Sequence, residues 1–410
     1  MNTIRRKMRP EFQNLQGGLF SQVKKADVGT AVIDLMANGV DMLCWADPFF
    51  PDPVLPEHIS QAVTRAMANG SASHYTMPIG NPELKEKIAD KLRRYNKFEV
   101  DAQRNILITP GSDSGLLFAM MPFINPDDEV LIHSPSYPSN FLNVELLGGK
   151  AISVETKKEN NYQIDIADFE KKITDKSKMV ILTNPNNPTG TVLRRESLQA
   201  IADFIIKHDL ILVVDQAFED AIFDEIEFIS IAALPGMWER TVSVFSFSKG
   251  MGLSGFRVGY LVSDAQIIDV LFGCTVNVVG ATNTSSQAGM IAALDDAVFM
   301  DDYTRIFEQR RKVVFDMMNA IPGVSMAMPE SGFLSWIDVS QLGSSAFICD
   351  YLLHHAKVVV NSGVPYGQGG EGFIRLVHGC YKDDAKLYSV LSRIQQALTQ
   401  LAKEKGLNHE

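Results

Sequence analysis

The chain is predicted to adopt an α/β fold: a large domain with a mostly parallel seven-stranded sheet covered by helices, plus a smaller α+β domain built from both chain ends. Three observations carry this expectation. Seven short apolar runs punctuate the middle of the chain, and several are nearly continuous in β-branched or aliphatic residues, as in strands buried on both faces. Helical patterns alternate with the runs, which argues for a parallel sheet covered by helices. After about Gly289 the character changes to a long charged helix, short strands and a closing helix.

Taken in order, the first ~50 residues predict one helix, around Leu19 to Asn38. The stretch Asp47 to Pro56 (DPFFPDPVLP) is a connector, because its prolines lack the N–H a ladder needs. The strand runs are Ile106–Thr109, Val130–Ser134, Ala151–Val154, Met179–Thr183, Ile211–Asp215, Val242–Ser246 and Val258–Val262. Between two of them, Arg194 to His208 sets Leu198, Ile201, Ala202, Ile205 and Ile206 on one helical face. A charged helix follows from Asp301 to Ala320, then MPESGFLSWIDV, AKVVVNSG and GFIRLVHG, then a helix from Ala385 to Lys405. This divides the chain into a large domain, 52–295, and a small one, 1–51 with 296–410.

With 410 residues, 46% hydrophobic and 21% charged, the chain reads as an ordinary globular protein able to bury a large core. The net charge of −11 argues against non-specific nucleic-acid binding. Cys44, Cys274, Cys349 and Cys380 are far apart and form no C-x-x-C pair, which fits a reduced intracellular protein. The N-terminus, MNTIRRKMRPEFQ, has no apolar run after its basic residues, and no stretch reaches membrane-span length. The expected location is cytoplasmic. No metal is expected: there is no H-E-x-x-H or cysteine cluster, and adjacent His354 and His355 diverge on a helix. His133 and His378 are expected to be satisfied core residues.

Polar and Gly/Pro-rich clusters follow five of the strand runs: Gly111-Ser112-Asp113, Pro135-Ser136-Tyr137, Asn184 to Gly190, Asp215, and Ser246 to Lys249. In open parallel sheets, ligands bind beyond the carboxyl ends of the strands, so the five converge on one expected site. The segment from Ser246 to Tyr260 (SFSKGMGLSGFRVGY) is the densest in chemistry. Lys249 is a candidate amine nucleophile, and Arg257 and the hydroxyls suit a phosphate. A buried lysine beside another cation loses proton affinity and gains nucleophilicity.

This segment, with Asn184-Pro-Asn-Asn187-Pro-Thr-Gly190, resembles the fold-type I, class I/II pyridoxal-phosphate aminotransferases, the aspartate aminotransferase-like family. The resemblance extends from about Leu15 to the C-terminal helix. It implies pyridoxal 5'-phosphate as cofactor, with Lys249 forming its internal aldimine and acting as base and acid in a ping-pong amino transfer. Ser246, Ser248 and Arg257 hold the phosphate on this reading, with Ser112 and Asp113 of the GSDSG turn adding donors at a helix N-terminus. The same turn also reads as a simple helix cap. Asp215 pairs the ring nitrogen and so keeps the ring an electron sink; the alternative is an Asp capping the next helix. Asn187 bonds the ring oxygen, unless its segment is merely a Pro-rich turn, and Tyr137 stacks on the ring. Arg375, with Ala46 and Asn187 beside it, forms the substrate-binding side. Tyr75 is donated across a homodimer to the neighbouring phosphate, or is an ordinary tyrosine.

Two departures from the family stand out. Phe218 occupies the place of a tyrosine that donates to the ring oxygen, and Ala46 that of a common glycine. Phe218 gives weight to an alternative outcome on the same fold, a C–S β-lyase or an amino-acid racemase. A transcription regulator with an aminotransferase-like domain is disfavoured by the charge and by how early the pattern starts. GATNTSSQ, residues 280–287, offers no second arginine, and Trp45, Phe49 and Phe50 lie near the expected entrance. Of the amino-acid and 2-oxo-acid substrates, the amino acid is therefore expected to be neutral or aromatic rather than aspartate.

Overall fold

The computed structural model describes residue 7 and residues 28–407. A helix spans Val28–Ala37, and the remainder of the one expected from Leu19 lies outside the described residues. The strands in chain order are β1 (Asp41–Met42), β2 (Ile106–Thr109), β3 (Glu129–Ser134), β4 (Lys150–Glu155), β5 (Ser177–Thr183), β6 (Ile211–Asp215), β7 (Thr241–Ser246), β8 (Gly259–Val262), β9 (Ser325–Met326), β10 (Leu334–Asp338), β11 (Val358–Val359), β12 (Asn361–Ser362) and β13 (Phe373–Val377).

Seven of them form one sheet in the order β2-β8-β7-β6-β5-β3-β4. The pairings β3–β4, β3–β5, β5–β6 and β6–β7 are parallel, and β8 runs antiparallel to both its neighbours. The continuous apolar runs follow from burial on both faces. Alternate residues point to opposite sides of a strand, so Leu212 and Val214 enter one core while Val213 enters another. The first core is closed by the helix Arg195–Lys207, through Leu198, Ile201, Ala202 and Ile205. Each fully buried Leu or Ile there contributes ~2 kcal/mol. The other face is covered by the helix Ser112–Met120, through Leu116, Phe118 and Ala119.

The rest of the chain builds a four-stranded antiparallel sheet, β12-β13-β10-β9, and a two-stranded parallel pair, β1-β11. The second pairing joins residues 41–42 to residues 358–359, so the two ends of the chain meet. Helices Phe299–Asn319 and Asp384–Glu404 pack on this sheet around Phe307, Val314, Leu391 and Leu398. Two arginines of the charged helix are fully buried. Arg310 donates to the Cys380 and Tyr381 carbonyls at 2.9 Å and to Asp384 at 2.7 Å, tying down the chain that follows β13. His133 accepts from the Thr183 amide and His378 contacts Ser335, both at 2.9 Å. Burial lowers the imidazole of His133 to about 4 and that of His378 to about 3. The four cysteines are free, and no helix among the described residues is long and apolar enough to cross a membrane.

Candidate active site

Because β2, β3, β5, β6 and β7 run the same way, their carboxyl ends lie along one edge of the sheet. The antiparallel β8 starts at that edge, and this delivers Arg257, two residues ahead of it. A cavity of about 200 Å³ opens there. Its walls include Ala46, Ser112, Asp113, Tyr137, Asn187, Asp215, Ser248, Lys249, Arg257 and Arg375, ten of the twelve expected site residues. Ser246 and Tyr75 are not in its walls.

Lys249 follows β7, and its Nζ donates to the Ala46 carbonyl at 2.6 Å. Burial lowers its amine to about 8; Asp113 and Asp47 oppose that shift, whereas Arg375 and Arg257 add to it. The Phe218 ring centre is 6.0 Å from the same nitrogen. Asp215 ends β6 and is 4% exposed. Burial pushes its carboxyl up to about 7, against the Ala217 amide that donates to it at 3.1 Å. Asp215 does not cap a helix: the next helical turn begins only at Ile231. A buried carboxylate with so little compensation calls for a cationic partner.

One end of the cavity is built to receive an anion. The helix Ser112–Met120 begins there with no side chain capping it, so its first N–H groups stay open. Gly111, at φ 84°, lies under Arg257; a Cβ there would fall 2.5 Å from Arg257 Nη2. Arg257 sits at φ 54°, an uncommon backbone state for a long side chain, and donates to the Ser254 carbonyl at 2.8 Å. The Ser246 hydroxyl accepts from the Ser248 amide at 3.1 Å, which braces the lysine turn and leaves its O–H as a donor. One expectation needs correction here. The Asp113 side chain is no phosphate donor: it accepts from the Tyr137 hydroxyl at 2.8 Å and faces Arg257 at 3.6 Å, and an ionised carboxylate only accepts. The backbone N–H at 113 remains a donor.

The opposite end centres on Arg375, 1% exposed, in β13. Its guanidinium donates to Asn361 Oδ1 at 3.1 and 2.6 Å, to Asn187 Oδ1 at 3.1 Å and to the Cys44 carbonyl at 2.7 Å. The Tyr366 ring lies 5.3 Å away. Among the described residues no carboxylate pairs with it. A buried cation held only by neutral groups fits an incoming carboxylate.

Cys44, Asp47, Ala217 and Ser254 also line the cavity and were missed in the sequence. Asp47 accepts from the Ser254 hydroxyl across 207 residues of chain, a contact that spacing does not reveal. Trp45 lines the cavity with its indole N–H unpartnered. Phe49 and Phe50 do not. Phe49 is buried in the core around Phe307 and Val314, and Phe50 packs edge-on to Trp45 at 4.8 Å. Phe218 packs at a tilt against Phe333, with ring centres 5.4 Å apart, and brings no hydroxyl.

Residues 43–394 match the family described as aminotransferase class I and II. The chain belongs to this family. An aspartate aminotransferase of Musicola paradisiaca is 36% identical over 329 residues, covering 80% of this chain and 82% of the relative. Aromatic-amino-acid aminotransferase 2 of Thermococcus litoralis is 32% identical, covering 91% and 95%. Among solved structures, the aspartate aminotransferase of Thermus thermophilus with maleate superposes with a TM-score of 0.85 at 27% identity, covering 97% of this chain and 100% of that one. The α/β fold read from the strand pattern is thus the aminotransferase fold, and the protein is an aminotransferase. None of these relatives carries the name of a lyase or a racemase.

Proposed function

We propose that this aminotransferase carries pyridoxal phosphate on Lys249 and moves an amino group from an L-amino acid to a 2-oxo acid in two half-reactions. The buried Arg375, without a carboxylate partner, is the observation that carries the substrate reading; the cradle of Gly111, Arg257 and an open helix terminus carries the cofactor reading. When bound, the cofactor supplies an aldehyde that captures amines and a ring that delocalises the electron pair left at Cα.

The chain's own residues then divide the work. Arg375 takes the substrate carboxylate, pre-oriented by Asn361 and Asn187. Asp215 holds a negative charge against the ring nitrogen, where its ionised form gains the partner that its burial demands. Ser112, Ser246, Ser248, the amide of residue 113 and Arg257 would bind the phosphate, with Tyr75 of a second copy completing it in a homodimer. Tyr137 flanks the ring, fixed by Asp113. Asn187 has its oxygen engaged by Arg375, which leaves its amide nitrogen as donor on the side where Phe218 has none. Lys249 Nζ, neutral above about pH 8 in the cavity, would take the Cα proton and deliver it to the former aldehyde carbon on the other side of the nitrogen, as base then acid.

Among the described residues the only arginines in the cavity walls are Arg257 and Arg375, both already assigned, and Trp45 adds an aromatic face. This supports a neutral or aromatic amino donor. The division into 52–295 and 1–51 with 296–410 belongs to the same proposal, supported by the pairing of β1 with β11, as does a cytoplasmic location. Incubation with a panel of amino acids and 2-oxoglutarate tests the reading. New glutamate, formed fastest from neutral or aromatic donors, is expected. Pyruvate and ammonia from cysteine or cystathionine, with no glutamate, would instead mark elimination.

A further inference from the structure

A second charged cluster lies outside the active-site cavity, against the turn that carries Lys249. Lys91 closes the helix Pro82–Lys91. Its ammonium pairs with Glu219 and lies 2.9 Å from Asp220. The two carboxylate side chains are 3% and 5% exposed. Burial alone would loosen the Lys91 proton, yet Asp220 and Glu219 hold its affinity well above the ordinary value. Glu219 also accepts from Asn96 through its carboxylate and from the Tyr95 hydroxyl through its carbonyl. Both donors sit on a π-helical turn, Leu92–Asn96, that continues the helix. Such turns are rare and frequent at functional sites.

The cluster touches the lysine turn directly. A Cβ at Gly250 would fall 2.3 Å from the Asp220 Cβ, so the Asp220 side chain occupies the space beside the residue that follows Lys249. The same short segment starts at Asp215, passes Phe218 near the Lys249 amine and ends in the two acids. It has no ladder or helix of its own to hold it, since residues 217–220 are turn. Removing the ammonium would leave two adjacent buried carboxylates. One would then have to take up a proton or swing towards water.

We propose that Lys91 is a positioning residue: by pairing with both Glu219 and Asp220 it clamps the 215–220 turn against Gly250 and so fixes Lys249 relative to Asp215. This rests on Lys249 being the cofactor lysine. An error of about 1 Å in such a placement costs on the order of 10²-fold in rate.

Four variants decide it: Lys91→Met, Lys91→Arg, Asp220→Asn and Lys249→Ala. In Lys91→Met, kcat falls on the order of 10²-fold with KM little changed. The cofactor-free variant also captures pyridoxal phosphate more slowly, followed by its visible absorption. Lys91→Arg keeps the cation and recovers most of both losses. Wild-type kcat and capture rate in Lys91→Met, with only a lower unfolding temperature, would overturn the proposal. Should Lys91→Met fail to fold, Asp220→Asn, which keeps the volume, decides: a smaller kcat loss at constant KM supports the clamp, and unchanged kcat overturns it. If Lys249→Ala still takes up the cofactor covalently, the underlying assignment of the lysine fails instead.

Discussion

Asp215 and Lys249 are costly where they stand, and the cost has a pH signature. Burial raises the Asp215 carboxyl from 3.8 to about 7. The unfolded chain therefore ionises first, and the folded state loses stability as pH rises from about 4 through 7. In cofactor-free protein, Asp215→Asn removes this penalty. Urea unfolding is expected to show the variant more stable by a few kcal/mol at pH 8, at ~1.4 kcal/mol per pH unit, and the gain disappears below about pH 4. A variant no more stable than the parent at pH 8 would mean that the carboxylate is compensated in some other way. The same substitution weakens cofactor binding, because it discards the anion that answers the ring nitrogen. Stability and activity pull apart at this residue, as they do at many functional sites.

At the scale of elements, the site is assembled by strand ends and one helix terminus. Gly111 stands where the strand β2 turns into the helix Ser112–Met120, and its missing Cβ leaves room for Arg257. Gly111→Ala is predicted to weaken pyridoxal-phosphate affinity roughly 10–100-fold, as a loss of ~1–3 kcal/mol in phosphate contacts. Titration of cofactor-free protein reads this directly. Gly39→Ala is the control: it has a similar φ of 76° with open space around it, so it carries the backbone strain without the clash. It is expected to lower stability and leave affinity alone. The strand ends were legible because strands buried on both faces must be apolar throughout, and the polar residues after them break that pattern. The capping alternatives were harder to separate. Asp215 precedes no helix, whereas Ser112 does begin one, and only backbone geometry distinguishes the two. Ser246 and Ser248 look equivalent in sequence, whereas β7 and the turn after it place only Ser248 in the cavity walls. Asp47 and Cys44 escaped notice because they arrive from the opposite end of the chain.

For the whole molecule, the β1–β11 pair joins residues 41–42 to 358–359, and residues 44–47 reach a cavity otherwise made by residues 112–257 and Arg375. Tyr75 is 94% exposed and outside its own chain's cavity, which suits a residue offered to a second copy. If it acts across a dimer, mixing two impaired variants, Tyr75→Ala and Lys249→Ala, is expected to restore activity. Random exchange makes half the dimers mixed, each with one native site, so about a quarter of wild-type activity returns. No recovery on exchange would confine Tyr75 to its own chain. The expectations for cofactor binding and activity depend on which amine holds the cofactor. Borohydride reduction of the loaded enzyme, followed by digestion and mass analysis of the peptides, identifies it. The label is predicted on Lys249; a label on any other lysine, or none at all, would contradict the account.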